Sequence, residues 1–168
     1  MVMNERDQAL KSMQMARDYT NNLLADVSEA DWFRMPTEGV THLAWQLGHL
    51  AIAQYRLMML QLRGDVPSDA ELIDPSYTAL FGRGSAPDPD AAKYPTVPEI
   101  RATFDRVHAQ ALEEVGRYNE QALAAPPHVP HRLFTNKLGA VIWAPQHEFI
   151  HCGQIGLLKR LLGYTAKW

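Results

Sequence analysis

The segment between Thr41 and Gly64 most constrains the fold of this chain, because it is long, free of proline and apolar on nearly every face. Its sequence, HLAWQLGHLAIAQYRLMMLQLR, leaves Arg56 and Gln61 as the plainly solvated positions. Thr41 is a suitable N-cap, and Gly64 is a suitable residue to end a helix. A helix that is apolar all round must be surrounded by other elements, so this one is expected to lie centrally or also to line a subunit interface.

Three further segments have the periodicity of helices that could surround this central one. The first runs from about Asn4 to Val27, with apolar residues recurring every three or four positions. Another opens at Thr96, where Glu99 completes the pattern of a capping box. The last covers roughly Leu138 to Leu162, and Pro145 within it predicts a kink.

The connection between the second and third predicted helices, residues 65–95, is rich in proline and glycine and excludes a long helix. A connection of this length inside a compact domain usually crosses over the fold or covers a site. In a bundle, such a crossover lets the helices that it joins run parallel. The sequence therefore predicts an all-α four-helix bundle with a long crossover between helices 2 and 3, in a single domain spanning residues 1–168.

Composition and charge limit the classes of partner. The chain of 168 residues has a net charge of −3 and no basic stripe of the kind that phosphate neutralisation demands, so we expect no nucleic-acid partner. It has no uninterrupted apolar stretch of about 18 residues and no signal-peptide pattern at its start, so we expect no membrane partner. A single cysteine, Cys152, fits a reducing compartment, and we expect a cytoplasmic protein.

The run HEFIH at residues 147–151 is the sharpest chemical feature. Four residues of helix place His147 and His151 on one face, one turn apart, a spacing suited to one metal ion. His49, in the middle of the central helix, is the best candidate for a third ligand. Three neutral imidazoles would leave at least one coordination position open and would suit zinc, nickel, iron or copper. The alternative is a metal-free bundle with three core histidines.

The same run matches the H-E-x-x-H pattern of zinc metalloproteases, in which Glu148 would be the general base. Such enzymes take their third ligand from downstream, and no His, Asp or Glu follows His151 in this chain. A protease is therefore a remote alternative, and Glu148 stays a candidate catalytic residue without assigned partners.

Helical spacing adds secondary candidates. Trp45, four residues before His49, is expected to form a pocket wall, and Tyr77 on the crossover is expected to shape the same pocket. Gln154, three residues after His151, is near enough to hydrogen-bond a ligand from outside the coordination shell. His42, at the start of the central helix, is expected to be exposed.

Two blocks of the sequence resemble the DinB-like family of metal-binding four-helix bundles. VTHLAWQLGHLAIAQ is similar to the second helix of that family, and HEFIHCGQIGLLKRLLG is similar to its H-x-x-x-H-x-G-Q-I ending. The resemblance covers nearly the whole chain. It implies that His49, His147 and His151 are the metal triad, that the bundle is up-down-down-up, and that the protein is a homodimer.

The activity that the resemblance implies is less specific. Characterised relatives include thiol S-transferases that use bacillithiol, mycothiol-dependent isomerases and the metal-bearing domain of thiol-oxidising synthases. We therefore expect a metal-dependent enzyme that acts on a small molecule, of thiol S-transferase or hydrolase type, with zinc or nickel and a low-molecular-weight thiol as candidate cofactors. The alternative is a non-catalytic metal-binding or dimerisation module.

Overall fold

The computed structural model describes residues 3–166, and all of the regular structure in that range is helical. In chain order the helices are α1 (Glu5–Leu24), α2 (Leu43–Tyr55), α3 (Asp69–Leu72), α4 (Tyr77–Phe81), α5 (Val97–Gly116), α6 (Glu120–Ala124) and α7 (Lys137–Leu161). The four long helices α1, α2, α5 and α7 form a bundle. The predicted all-α class is confirmed, and α7 continues through Pro145.

The central helix changes its winding before it ends. After Tyr55 it continues through a π-helical stretch, Arg56–Leu60, and a last α-helical turn, Gln61–Arg63. Gly64 follows with φ of +80°, a left-handed conformation that favours glycine and stops the helix. π-Helical turns within α-helices recur at functional sites, and this one begins two turns beyond His49.

Contacts between helix ends give the directions of α1, α5 and α7. Lys159, near the end of α7, is ion-paired with Asp26, just beyond the end of α1, so these two helices run parallel. Arg6, near the start of α1, donates a hydrogen bond of 2.7 Å to the carbonyl of Tyr118, just beyond α5. Helices α1 and α5 are therefore antiparallel.

The direction of α2 completes the topology. Arg63, at the end of the α2 continuation, is ion-paired at 2.7 Å with Glu114 near the end of α5, so α2 and α5 are parallel. Gln46, early in α2, donates a hydrogen bond of 3.0 Å to Gln154, late in α7, so α2 and α7 are antiparallel. The order is up, down, down, up, as the resemblance implies, with the crossover carrying α3 and α4.

Burial along α2 agrees with its predicted central position, since 10 of its 13 residues are buried. Gln61 was expected to be solvated, and this expectation is wrong. Its backbone carbonyl accepts a hydrogen bond of 2.8 Å from the amide of His128, and its Oε1 accepts one of 3.0 Å from the amide of Val129. The connection before α7 therefore lies across the end of the central helix. No helix within residues 3–166 is both long and apolar enough to cross a bilayer.

Gly48 allows the crossover to pack closely against α2. A Cβ atom at this position would lie 2.5 Å from ring atoms of Phe81, which is fully buried at the end of α4. No real Cβ contact is this short, so the ring occupies the space that any other residue would need. The absence of a side chain at Gly48 thus fixes how closely α4 approaches the middle of α2.

Replacing Gly48 with alanine should therefore destabilise the protein by about 1–3 kcal/mol, because Phe81 must move out of a packed position. Gly153→Ala in α7 is the matched control, since nothing lies within 4 Å of a Cβ there. The control should gain about 0.5–1 kcal/mol from the better helix propensity of alanine. Urea unfolding of both variants measures the difference, and equal effects would contradict the close approach of α4.

Candidate metal centre

Three histidines from two helices meet at the middle of the α2–α7 interface. His49 of α2 and His147 and His151 of α7 each offer a ring nitrogen, and these atoms all lie within 4.8 Å of one another. The ring centroids are 5.3 Å apart for His49 and His147, and 4.7 Å apart for His49 and His151. Small rotations of the rings would bring all three nitrogens to one ion. Among residues 3–166, no other group of three His, Cys, Asp or Glu side chains brings its ligand atoms together in this way.

A backbone carbonyl sets the tautomer of His49. The Nδ1 atom of His49 lies 2.7 Å from the carbonyl oxygen of Phe81. Because a carbonyl oxygen only accepts, Nδ1 carries the proton and Nε2 keeps its lone pair. Histidines that ligate metals almost always donate their other ring N–H in this way, which fixes the ring and raises its basicity. The hydrogen bonding of His49 therefore fits a metal ligand.

A pair of glutamines does the same for His151. The Nδ1 atom of His151 lies 2.6 Å from Oε1 of Gln46, and Nε2 of Gln46 donates to Oε1 of Gln154 at 3.0 Å. The second contact orients the amide of Gln46 so that its oxygen faces the imidazole. The spacing of Gln154 from His151 predicts a direct hydrogen bond to a ligand. Instead, Gln154 orients Gln46, and Gln46 makes the hydrogen bond to His151.

Burial keeps the three imidazoles neutral. Loss of solvation, together with the charges of the neighbouring histidines, lowers the pKa of His147 to about 4 and that of His151 to about 3. Burial also lowers the pKa of His49, partly offset by its hydrogen bond to Phe81. A neutral imidazole is the form that binds a metal ion, so the site is ready for one at neutral pH.

Trp45 stacks on His49. The two rings are 4.7 Å apart and only 11° from parallel, and Nε1 of Trp45 donates to Oγ of Ser85 at 2.8 Å. The crossover therefore holds the indole against the imidazole. Trp45, Gln46 and Gln154 also line a cleft of about 590 Å³. Trp45 thus walls a cleft whose lining includes none of the three histidines, although its ring packs on His49.

A second cleft, of about 520 Å³, reaches two of the three histidines. His49 and His147 line it, together with residues of α2 and its continuation, of the crossover and of the connection before α7. Its apolar walls are formed by Ile52, Ala53, Leu57, Leu60, Val129 and Trp143. We call it the triad cleft. It is wide enough for a small molecule, and it gives such a molecule access to the triad.

Glu148 lies away from the triad. Its carboxylate accepts hydrogen bonds from Arg17 at 3.2 Å and from Thr20 at 2.8 Å, and Glu148 and Arg17 are each only 2% exposed. Thr20 also contacts Cys152, whose thiol pKa is raised to about 11 by burial. Glu148 therefore occupies a buried polar cluster between α1 and α7, and the structure does not bring it to the histidines as a general base.

Two other predicted positions also differ. Tyr77 is buried beside Phe81, with ring centroids 4.9 Å apart, and it does not line the triad cleft. His42 was expected to be exposed, and this is wrong, since it is fully buried. Its Nδ1 accepts a hydrogen bond of 3.0 Å from the amide of Trp45, so His42 caps α2. The side chain turns back onto the helix end because it satisfies an amide there.

Sequence reasoning missed Gln46 and the carbonyl of Phe81. Gln46 had a usable signal: it is an amide three residues before His49 on a mostly apolar helix, so the two side chains share a face. The carbonyl of Phe81 had none, because any residue supplies a carbonyl and only the path of the crossover brings this one to His49.

Comparison with known proteins places the chain. The sequence model of the DinB superfamily matches residues 12–155, which include all three histidines. The chain therefore belongs to the DinB superfamily. A search of curated proteins found no match.

Purified protein should contain close to one divalent ion per chain after reconstitution with zinc or nickel, and His49→Ala should remove most of it. The reason is that the remaining pair on α7 is only a two-point ligand. His131→Ala is the control, because His131 is an exposed imidazole that lines the triad cleft without joining the triad. Elemental analysis of the desalted proteins decides the matter, and equal metal content in all three would exclude His49 as a ligand.

The metal-free protein should lose stability as the pH falls from about 6.5 towards 4. In that window the unfolded chain takes up protons on histidines whose folded pKa is depressed, so unfolding becomes more favourable. Replacing His151, whose folded pKa is about 3, with glutamine should make the loss shallower by up to about 1.4 kcal/mol per pH unit. Urea midpoints between pH 7.5 and 4.5 measure both slopes. An unchanged slope in the variant would show that His151 protonates equally in both states.

Proposed function

We propose that this member of the DinB superfamily is a metal-dependent enzyme that acts on a small molecule. His49, His147 and His151 would hold one divalent ion, and the triad cleft would admit the substrate. The observation that carries this proposal is that two of the three clustered imidazoles line a cleft of about 520 Å³. A purely structural site is normally four-coordinate and closed, whereas a three-ligand site with two of its imidazoles on a cleft leaves room for a reacting group.

The donor set favours zinc or nickel. Three neutral imidazoles without a carboxylate or thiolate suit borderline ions and disfavour magnesium and calcium, which prefer oxygen. The hydrogen bonds of His49 to Phe81 and of His151 to Gln46 support either ion, since they fix the tautomer and not the metal. We therefore propose zinc or nickel as the resident ion.

Thiol S-transfer fits the cleft better than hydrolysis. Among the described residues that line the triad cleft, none supplies a carboxylate that could act as a general base. A divalent ion at the triad would supply the missing activation by lowering the pKa of a bound thiol or water. A thiol needs less of this help, because its ordinary pKa is already about 8.5. We therefore propose a low-molecular-weight thiol as the co-substrate, with hydrolysis as the second candidate.

The chain itself contributes positioning and exclusion of water. Phe81 and Gln46 hold protons on the outward nitrogens of His49 and His151, which keeps the other nitrogens directed at the ion. Trp45 restrains the ring of His49 by stacking. The apolar walls of the triad cleft desolvate the reacting groups, which strengthens the electrostatic effect of the ion on them.

Glu148 is not placed to act as the general base of a metalloprotease in this fold. The glutamate of an H-E-x-x-H helix must reach the water at the metal, whereas Glu148 is held by Arg17 and Thr20 in the cluster between α1 and α7. The match to that motif therefore supports two ligands and not the protease chemistry.

The alternative is a non-catalytic metal-binding or dimerisation module. Its support is a set of exposed apolar side chains on α7: Phe149, Ile150, Leu157 and Leu161. We propose that this surface is the contact of a homodimer, which is compatible with either function. We also propose a single domain, supported by one family match over residues 12–155, and a cytoplasmic location, which suits a thiol co-substrate.

The zinc-loaded protein, and separately the nickel-loaded protein, should accelerate the reaction of a thiol with an electrophile above the rate in solution. Cysteine, glutathione and bacillithiol are the thiols to compare, with monobromobimane as a fluorogenic electrophile. In each turnover the sulfur forms a bond to carbon, bromide leaves with its electron pair, and the thiol proton passes to solvent. His49→Ala should reduce the rate at least about 100-fold, the scale of losing the activating ion. His128→Ala, at an exposed histidine outside the triad cleft, should retain it.

Two other outcomes would redirect the proposal. Hydrolysis of p-nitrophenyl acetate without any thiol, dependent on metal and on His49, would establish the hydrolase. Tight stoichiometric metal with no rate above background in either assay would favour the non-catalytic module.

A further inference from the structure

The triad cleft carries unneutralised positive charge. Arg56 and Arg83 both line it, and no Asp or Glu is among the described residues that do so. Three neutral imidazoles would not offset the charge of a bound divalent ion. A cleft that combines two cationic side chains with apolar walls and no carboxylate is complementary to an anion.

Arg83 is placed by the same segment that orients the triad. It follows Phe81, whose carbonyl contacts His49 at 2.7 Å, by two residues. Its side chain is exposed, and within residues 3–166 it has no ion pair or hydrogen bond. An arginine with no internal partner, anchored next to the triad, is free to bind a group of the substrate.

Arg56 lines the cleft from the central helix, whereas Arg83 lines it from the crossover. It opens the π-helical stretch of the central helix, and its guanidinium has one long contact, 3.4 Å to Oγ1 of Thr78. Within the described residues no carboxylate pairs with it, whereas Arg17 and Arg63 are each ion-paired.

We infer that Arg56 and Arg83 form an oxyanion-binding subsite, and that the substrate of this protein is a small amphipathic anion. The guanidinium groups would bind its carboxylate or phosphate, which match the fork of N–H donors on arginine. Its apolar body would lie against Leu57, Leu60 and Trp143. That this anion is a substrate whose other end reacts at the triad rests on the proposed function, whereas its binding at the two arginines does not.

Binding of matched small molecules tests the subsite directly. Phenylacetate and phenyl phosphate are the anionic probes, and 2-phenylacetamide is a neutral probe of nearly the same shape as phenylacetate. NMR-detected titrations of the protein measure dissociation constants into the millimolar range. Each titration is made on the metal-free and on the zinc-loaded protein, because an oxyanion could otherwise bind through the ion alone.

Three variants assign the binding to the arginines. Arg56→Gln and Arg83→Gln remove one charge each, and Arg34→Gln removes the charge of an exposed arginine on the turn before the central helix, where it pairs with Asp31. We expect both anions to bind the metal-free wild type at least tenfold more tightly than the amide. Each cleft variant should weaken anion binding about three- to tenfold without changing amide binding, and Arg34→Gln should change neither.

The outcomes separate this inference from the proposed function. Equal binding of anion and amide, no measurable binding of either anion, or unchanged anion binding in both cleft variants would overturn the subsite. Anion binding that appears only with zinc and survives both substitutions would also overturn it, since the ion alone would be the receptor. Selective anion binding by a protein that binds no metal would support the oxyanion subsite and exclude the proposed metal-dependent enzyme. Stronger binding of phenyl phosphate than of phenylacetate would identify a phosphate ester as the ligand, and the reverse would identify a carboxylate.

Discussion

The packing of three neutral imidazoles, one buried and two half-buried, between two antiparallel helices is the constraint on which the rest of the site depends. Unpaired polar rings inside a bundle are costly unless their nitrogens find partners. His49 and His151 meet this requirement on one side through Phe81 and Gln46, which leaves the opposite nitrogens directed at each other. The partners that make burial tolerable are thus the ones that prepare the triad for an ion.

The crossover is as important to the site as the bundle helices. It brings the carbonyl of Phe81 to His49, and it can do so because Gly48 leaves room for the ring. It fixes Trp45 through Ser85 and places Arg83 at the triad cleft. Through these contacts, one irregular segment sets the tautomer of His49, the packing around it and part of the charge at the triad cleft.

Helix α7 presents different chemistry on its two buried faces. One face carries His147 and His151 towards α2, and the other carries Glu148 towards Arg17 of α1. A buried ion pair of this kind adds little net stability, but breaking it would leave an uncompensated charge, so it favours one rotation of α7 over others. The same rotation aims the histidines at His49. Adjacent residues of one short motif therefore serve separate purposes.

The sequence by itself determined the four long helices, their bundle and the three histidines, because helical periodicity, capping residues and i, i+4 spacing are local properties. The prolines of residues 65–95 likewise predicted a crossover. Only the tertiary structure decided the partners of those histidines, the burial of His42, and whether Glu148 faces the triad or Arg17. These depend on the rotation of α7 and on the path of an irregular segment, which are set by packing between residues far apart in the chain, and no local pattern records them.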